Sequence, residues 1–312
     1  MRRWLRRLLI LVLVVLVGFV FGFVPYFLAG LFTNRQFQMK DAENQGLTPA
    51  SFQLAFEDIT FQSKDGVPLS GWWVPASEAK GTVVLVHGLN RSRIEMVKKA
   101  PFLHKLGWNV LLFDLRRHGA SGGTVRSLGY NERLDVIAAT DFAHTRAPLP
   151  IVAWGISFGG AAATLGAAED AQIAGLVCDS SFRSLRDTAH HHLALFRGFR
   201  WWLRPVPSWP TADIAVFWMG RNAGFDPDEL DVVKAASRLG GRPALFVGST
   251  GDERMPTDIA RDLAAAAGPS AKTLVVASEG HGHAYRDATT AYEAAVTTLL
   301  ESVSSSSKGE LR

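Results

Sequence analysis

The chain has 312 residues, 47% of them apolar, which excludes global disorder and leaves enough material for one α/β core with an insertion. Its formal net charge of +4 equals the contribution of four arginines among the first seven residues, Arg2, Arg3, Arg6 and Arg7. The remainder is formally neutral, so nucleic-acid binding loses its main electrostatic support. A single cysteine, Cys178, excludes an intrachain disulfide and reads as a small buried apolar residue.

Residues 8–32, LLILVLVVLVGFVFGFVPYFLAGLF, carry no charge. About 20 apolar residues let a helix cross a bilayer, whereas a cleavable signal has an apolar region of about 7–15 and a small-x-small site. Only Ala29-Gly30 approaches such a site, so residues 1–33 read as an uncleaved membrane anchor. Pro25 is expected to kink or end the helix, with Tyr26 and Phe27 at the interface. Arginines crowd the leading side, while Arg35 and Lys40 follow the span. That bias predicts a cytoplasmic N-terminus and an extracytoplasmic domain.

Residues 34–51 are mostly polar and read as a linker. Phe52 to Phe61 alternates, Lys64-Asp65-Gly66 turns, and Leu69 to Val74 returns, which predicts a hairpin. Thr82–Val86 is a buried strand, Ile94 to Leu106 a helix, Asn109–Phe113 a strand and Tyr130 to His144 a helix. Further strands are expected at 150–154, 173–178, 244–247 and 273–276. Helices are expected near 257–267 and 288–303, and a disordered tail from 304 to 312, where serines cluster. Strand and helix alternate after the hairpin, so a mostly parallel sheet with helices on both faces is expected. The folded domain then covers 52–303.

Within that pattern, residues 155–159 read Gly-Ile-Ser-Phe-Gly between an apolar strand and a small-residue helix. Glycines on both sides let strand and helix approach closely, and Ser157 sits at the turn with a helix N-terminus behind it. A serine hydroxyl needs a general base, and the base needs an orienting acid. In an open parallel sheet all three belong at the carboxyl ends of strands. Asp252 follows the strand at 244–247 and His281 the strand at 273–276, in the chain order Ser, Asp, His. His283 competes with His281 as base, and Asp179, ending the strand at 173–178, competes with Asp252 as acid. An oxyanion hole needs two aligned N–H donors; Phe158 and Leu89 are the candidates, Leu89 lying in the His87-Gly88-Leu89-Asn90 loop. His87 reads as a structural histidine, and the sequon Asn90-Arg91-Ser92 as chance.

Between residues 183 and 240 lies a long insertion carrying Trp201, Trp202, Trp209, Phe217 and Trp218 with Arg197, Arg200 and Arg204. It reads as a helical lid, either covering an apolar acyl chain and touching the bilayer with its arginines near phosphates, or simply packing on the core. His190, His191 and His192 are successive, and neighbours on a helix diverge by about 100°, so no metal site is expected.

Six segments carry a family resemblance: HGLNRSR at 87–93, DLRRHGASGG at 114–123, GISFGG at 155–160, DSSFRSLR at 179–186, DERMP at 252–256 and GHGHAY at 280–285. From about residue 54 to 302 the chain resembles the α/β-hydrolase superfamily, and is similar to membrane-anchored α/β-hydrolase-domain proteins and serine-aminopeptidase-like hydrolases. The resemblance implies the α/β-hydrolase fold with a lid. It implies a serine hydrolase acting on a small-molecule or lipid-like acyl substrate, ester or thioester, without a cofactor. In relatives the histidine often precedes a tyrosine by four residues, which selects His281, before Tyr285. A peptidase of the same fold, or an inactive membrane-tethered binding protein, would share these segments.

Overall fold

The computed structural model describes residues 3–34, 43–201, 204 and 206–310. Arg2, residues 35–42 of the expected linker with Arg35 and Lys40, and Trp202 lie outside the described residues. The apolar segment forms one run of 31 residues, built of α1 (Arg3–Gly18), a π-helical turn (Phe19–Phe23) and α2 (Val24–Thr33). It is long and apolar enough to cross a membrane. Pro25 does not end it. A proline lacks an N–H and crowds the preceding turn, and the wider π-helical turn lies directly before it, where the ladder must give. The first helix buries nothing, whereas Pro25, Ala29 and Thr33 of α2 are buried against the rest of the chain.

Eight strands form one sheet: β1 (Glu57–Gln62), β2 (Pro68–Val74), β3 (Thr82–Val86), β4 (Asn109–Phe113), β5 (Ile151–Ile156), β6 (Ile173–Asp179), β7 (Ala244–Gly251) and β8 (Ala271–Glu279). Their order is β1-β2-β4-β3-β5-β6-β7-β8. The hairpin pairs antiparallel within itself and onto β4, and every other pairing is parallel. Successive side chains point to opposite faces, and this divides each central strand between two cores. Val84, Val86, Leu111, Phe113 and Ala153 face one; Val83, Leu85, Val110, Leu112 and Trp154 face the other.

The helices follow as α3 (Ala100–Lys105), α4 (Glu132–Arg146), α5 (Phe158–Glu169), α6 (Leu185–Phe199), α7 (Ser208–Ala223), α8 (Val232–Ala236), α9 (Thr257–Ala267), α10 (Ala284–Asp287) and α11 (Thr289–Glu310). Helices α4, α5 and α9 fill the first core, and α3 and α11 the second. Two expectations need correction. The helix expected over 94–106 begins as a 3₁₀ stretch, Arg93–Lys99, and becomes α-helical only at α3, where Pro101 occupies the first turn. A proline suits the first turn and disfavours α geometry before it. The expected tail does not leave the helix at 304, because α11 continues to Glu310. The hydroxyls of Ser302, Ser304 and Ser305 donate to the carbonyls of Leu299, Leu300 and Ser302 at 2.7, 2.9 and 2.9 Å, so these serines follow the helix rather than breaking it.

Candidate active site

The tight turn after β5 is built by missing side chains. A β-carbon on Gly155 would stand 2.2 Å from the carbonyl oxygen of Gly159. Ser157 itself has φ 55° and ψ −118°, a conformation that costs about 1–3 kcal/mol and that its surroundings must impose. The Ser157 N–H donates to the Asp179 carbonyl at 2.7 Å, which ties the turn to the end of β6. Helix α5 starts immediately, and Phe158 is its first residue. The Phe158 amide is therefore one of the four at a helix start that have no intrahelical acceptor.

Three strand ends bring the sequence candidates together. Ser157 Oγ lies 2.7 Å from His281 Nε2, and His281 Nδ1 lies 2.7 Å from Asp252 Oδ2. A carboxylate only accepts, so Nδ1–H donates to Asp252 and Nε2 accepts from the serine hydroxyl. Asp252 is buried, and its other oxygen accepts the Arg254 and Met255 N–H groups, each at 3.0 Å. His281 is held between Gly280 and Gly282, both with positive φ (86° and 73°), a backbone that glycine adopts without strain.

The two competing residues sit elsewhere. His283 Nδ1 hydrogen-bonds the Glu279 carbonyl at 2.6 Å. Asp179 accepts from the Ser180 hydroxyl at 2.8 Å and the Tyr292 hydroxyl at 3.0 Å; burial pushes its carboxyl above the usual range. Of the three successive histidines, His190 lies 3.0 Å from Asp213 and His191 2.8 Å from the Glu253 carbonyl. His192 is pushed down to about 4 by burial and by the nearby Arg254 charge, and counts His281 and Asp252 among its electrostatic neighbours.

Known proteins share this architecture. A family model described as serine aminopeptidase, S33, matches residues 77–225, and one described as TAP-like protein matches residues 226–310. The uncharacterized protein YqkD of Bacillus subtilis is 25% identical over 95% of this chain and 95% of its own. The α/β hydrolase domain-containing protein WAV2 of Arabidopsis thaliana is 33% identical over 49% of this chain and 51% of its own. An esterase from Pyrococcus furiosus superposes with a TM-score of 0.68 at 24% identity, covering 82% of this chain and 94% of that one. An acylaminoacyl peptidase from Pyrococcus horikoshii does so with a TM-score of 0.55 at 17% identity, covering 76% and 40%. The chain belongs to the α/β-hydrolase superfamily.

In this α/β hydrolase the loop after β3 is braced by His87, which the sequence reads as structural, and by further residues to which the sequence assigned no role. Gly88 N–H donates to Glu95 at 2.7 Å. His87 donates from Nδ1 to the Gly88 carbonyl at 2.8 Å, and its Nε2 accepts the Leu115 N–H at 3.1 Å. His118 Nε2 accepts the Asn90 N–H at 3.3 Å, and its ring lies 5.7 Å from that of Phe158. Burial pushes His87 down to about 4 and His118 to about 3, so both rings are neutral at physiological pH, as these bonds require. Asp114 accepts the Arg93 N–H at 2.7 Å and the Ala120 N–H at 2.9 Å.

Arg126 joins the loop to the apolar helix. Its guanidinium donates to the Asn90 side chain and, at 3.3 Å, to the Leu31 carbonyl; its N–H donates to the Thr33 carbonyl at 3.0 Å. His87, Gly88, Asn90, Asp114 and His118 lie in the segments 87–93 and 114–123, while Glu95 and Arg126 lie outside them, and the roles of all depend on which loops meet across the sheet edge.

Proposed function

We propose that this chain is a membrane-anchored serine hydrolase that cleaves carboxylic esters or thioesters through an acyl-enzyme. The observation that carries this reading is the hydrogen-bonded series Ser157, His281, Asp252, with 2.7 Å at each link. Ser157 Oγ attacks the acyl carbonyl carbon while His281 Nε2 takes the hydroxyl proton. Asp252 holds the ring in the tautomer that accepts this proton and offsets the imidazolium charge. The carbonyl oxygen becomes an oxyanion held by the Phe158 and Leu89 N–H groups. Collapse breaks the bond to the leaving alcohol or thiol, which receives the proton from His281. Water then attacks the acyl-enzyme, giving its proton to His281, and the acid departs as Ser157 regains its hydrogen. No cofactor enters these steps.

The 31-residue apolar helix supports the anchoring. Its basic leading end supports a cytoplasmic N-terminus and an extracytoplasmic hydrolase domain. The insertion between β6 and β7, with α6, α7 and α8, is the proposed lid; α6 stands over the site through His191 and Glu253. A peptidase reading has its own support in the serine aminopeptidase model over residues 77–225.

The test is labelling by a fluorophosphonate probe in the wild type and in Ser157→Ala, followed by turnover of ester and amide substrates. Labelling lost in the variant supports an activated serine, and preference for amides would replace esterase with peptidase. No labelling of folded wild type favours an inactive binding protein.

A further inference from the structure

We propose that the tip of the α6–α7 helix pair is a second membrane contact that seats the mouth of the site at the lipid surface, where it takes acyl esters whose chains reside in the bilayer. The inference rests on the anchoring and esterase readings above. It comes from the height at which α7 packs along the apolar helix.

Helices α2 and α7 run in the same direction. Asn222, near the end of α7, donates to the Thr33 hydroxyl at 3.3 Å, and one turn earlier Trp218 packs edge-on to Tyr26 at 5.2 Å. Helix α7 also contacts the π-helical turn Phe19–Phe23. Moving toward the start of α7 therefore means climbing the apolar helix toward its basic end.

Bilayer thickness turns this height into depth. A hydrocarbon core of about 30 Å takes about 20 residues at 1.5 Å each. Counted from Leu8, just after the arginines, the far boundary falls near Phe27. Phe19–Phe23 then lies inside the hydrocarbon. From Trp218 back to Pro210, α7 rises by about 12 Å more. The tip of the pair is thus carried to the boundary or past it.

The side chains at that height suit lipid. Phe199, Trp201 and Trp209 are 72%, 77% and 75% exposed, and Phe217, beside Trp218, is 56% exposed. Arg200 and Arg204 flank them, with charged heads able to reach phosphates while their stems lie along apolar surface. The pair also reaches the site: Arg186 and His190 of α6 meet Asp213 of α7, and His191 meets the Glu253 carbonyl next to Asp252. One helix pair therefore connects bilayer and site.

The test uses the full chain in phosphatidylcholine–phosphatidylglycerol vesicles, spin-labelled singly at Phe199→Cys, Trp209→Cys, Val14→Cys or Glu301→Cys. The native Cys178 is buried and stays unlabelled. Collision with oxygen against collision with a nickel chelate reads depth. Tip labels are expected to favour oxygen, as Val14 does, while Glu301 favours nickel. Tip labels as aqueous as Glu301, with Val14 in lipid, overturn this proposal alone; an aqueous Val14 overturns the anchor reading and this proposal with it. In the paired activity assay, Phe199→Ser with Trp209→Ser should slow hydrolysis of a long-chain ester in vesicles about ten-fold or more while sparing a water-soluble short-chain ester. Equal losses on both esters would overturn the substrate assignment.

Discussion

Gly159 faces the carbonyl oxygen of His87 so closely that a β-carbon there would stand 2.3 Å from it. The helix behind Ser157 and the loop after β3 thus touch through bare backbone. This contact sets the spacing between the Phe158 and Leu89 amides, the two proposed oxyanion donors. Gly159→Ala is expected to push them apart. Turnover should fall on the order of 100-fold, as for loss of one donor. Overpacking should cost about 1–3 kcal/mol of stability. Thermal melting together with kcat checks both, and a variant that keeps wild-type values in each would refute this role for the contact.

Ser157 pays for its exposure with backbone strain. Glycine tolerates positive φ and alanine does not. Both Ser157→Ala and Ser157→Gly should lose fluorophosphonate labelling, but the glycine variant should be the more stable of the two by about 1 kcal/mol. The comparison is a pair of unfolding curves in the same detergent. An alanine variant at least as stable as the glycine variant would mean the turn stores no strain.

The two buried carboxylates should separate by phenotype. Asp252→Asn leaves the geometry but favours the wrong tautomer of His281, and kcat should drop on the order of 10⁴-fold. Asp179→Asn disturbs the bonds from Ser180 and Tyr292 instead, and should lower the melting temperature while leaving kcat near wild type. If Asp179→Asn instead gave the catalytic loss, the acid would have been misassigned.

His87 and His118 make stability pH-dependent. Their ordinary value is 6.5, and burial lowers them to about 4 and about 3 in the folded chain. Between these values the unfolded chain binds more protons than the folded one, so stability rises with pH. Their full contribution is present above 6.5 and is lost as pH falls through the window toward 4. Each can contribute a slope of up to about 1.4 kcal/mol per pH unit. Urea unfolding between pH 7 and 5 reads the slope, and His118→Asn should lower it by one histidine's share, up to about 1.4 kcal/mol per pH unit. A flat profile in the wild type would mean that these rings are protonated in the fold without penalty.

Much of the architecture was legible because it depends on local pattern. Apolar runs such as Thr82–Val86 and Ile151–Ile156 are buried on both faces and could hardly be anything but inner strands. Glycines around Ser157 announced a turn that no side chain could share. Less legible were elements governed by a competing local preference. Pro25 argued for a kink or an end of the helix, and it was the structure that showed a π-helical turn carrying the helix past it. The serines after Val303 argued for a tail, yet their hydroxyls bond back to the helix.

The sequence by itself determined the alternation of strand and helix, the apolar helix, and a short set of residues able to do acyl chemistry. It determined these because periodicity, glycine placement and charge act within a few residues of chain. Only the tertiary structure shows that His281 and Asp252, not His283 and Asp179, stand hydrogen-bonded in series with Ser157. Each placement turns on 2.7 Å hydrogen bonds between residues far apart in sequence. The packing of α7 along the apolar helix, and the bridge from Arg126 to Asn90 and the end of that helix, were decided there too. Contacts across loops and layers arise from how the sheet edge folds, and no local pattern encodes them.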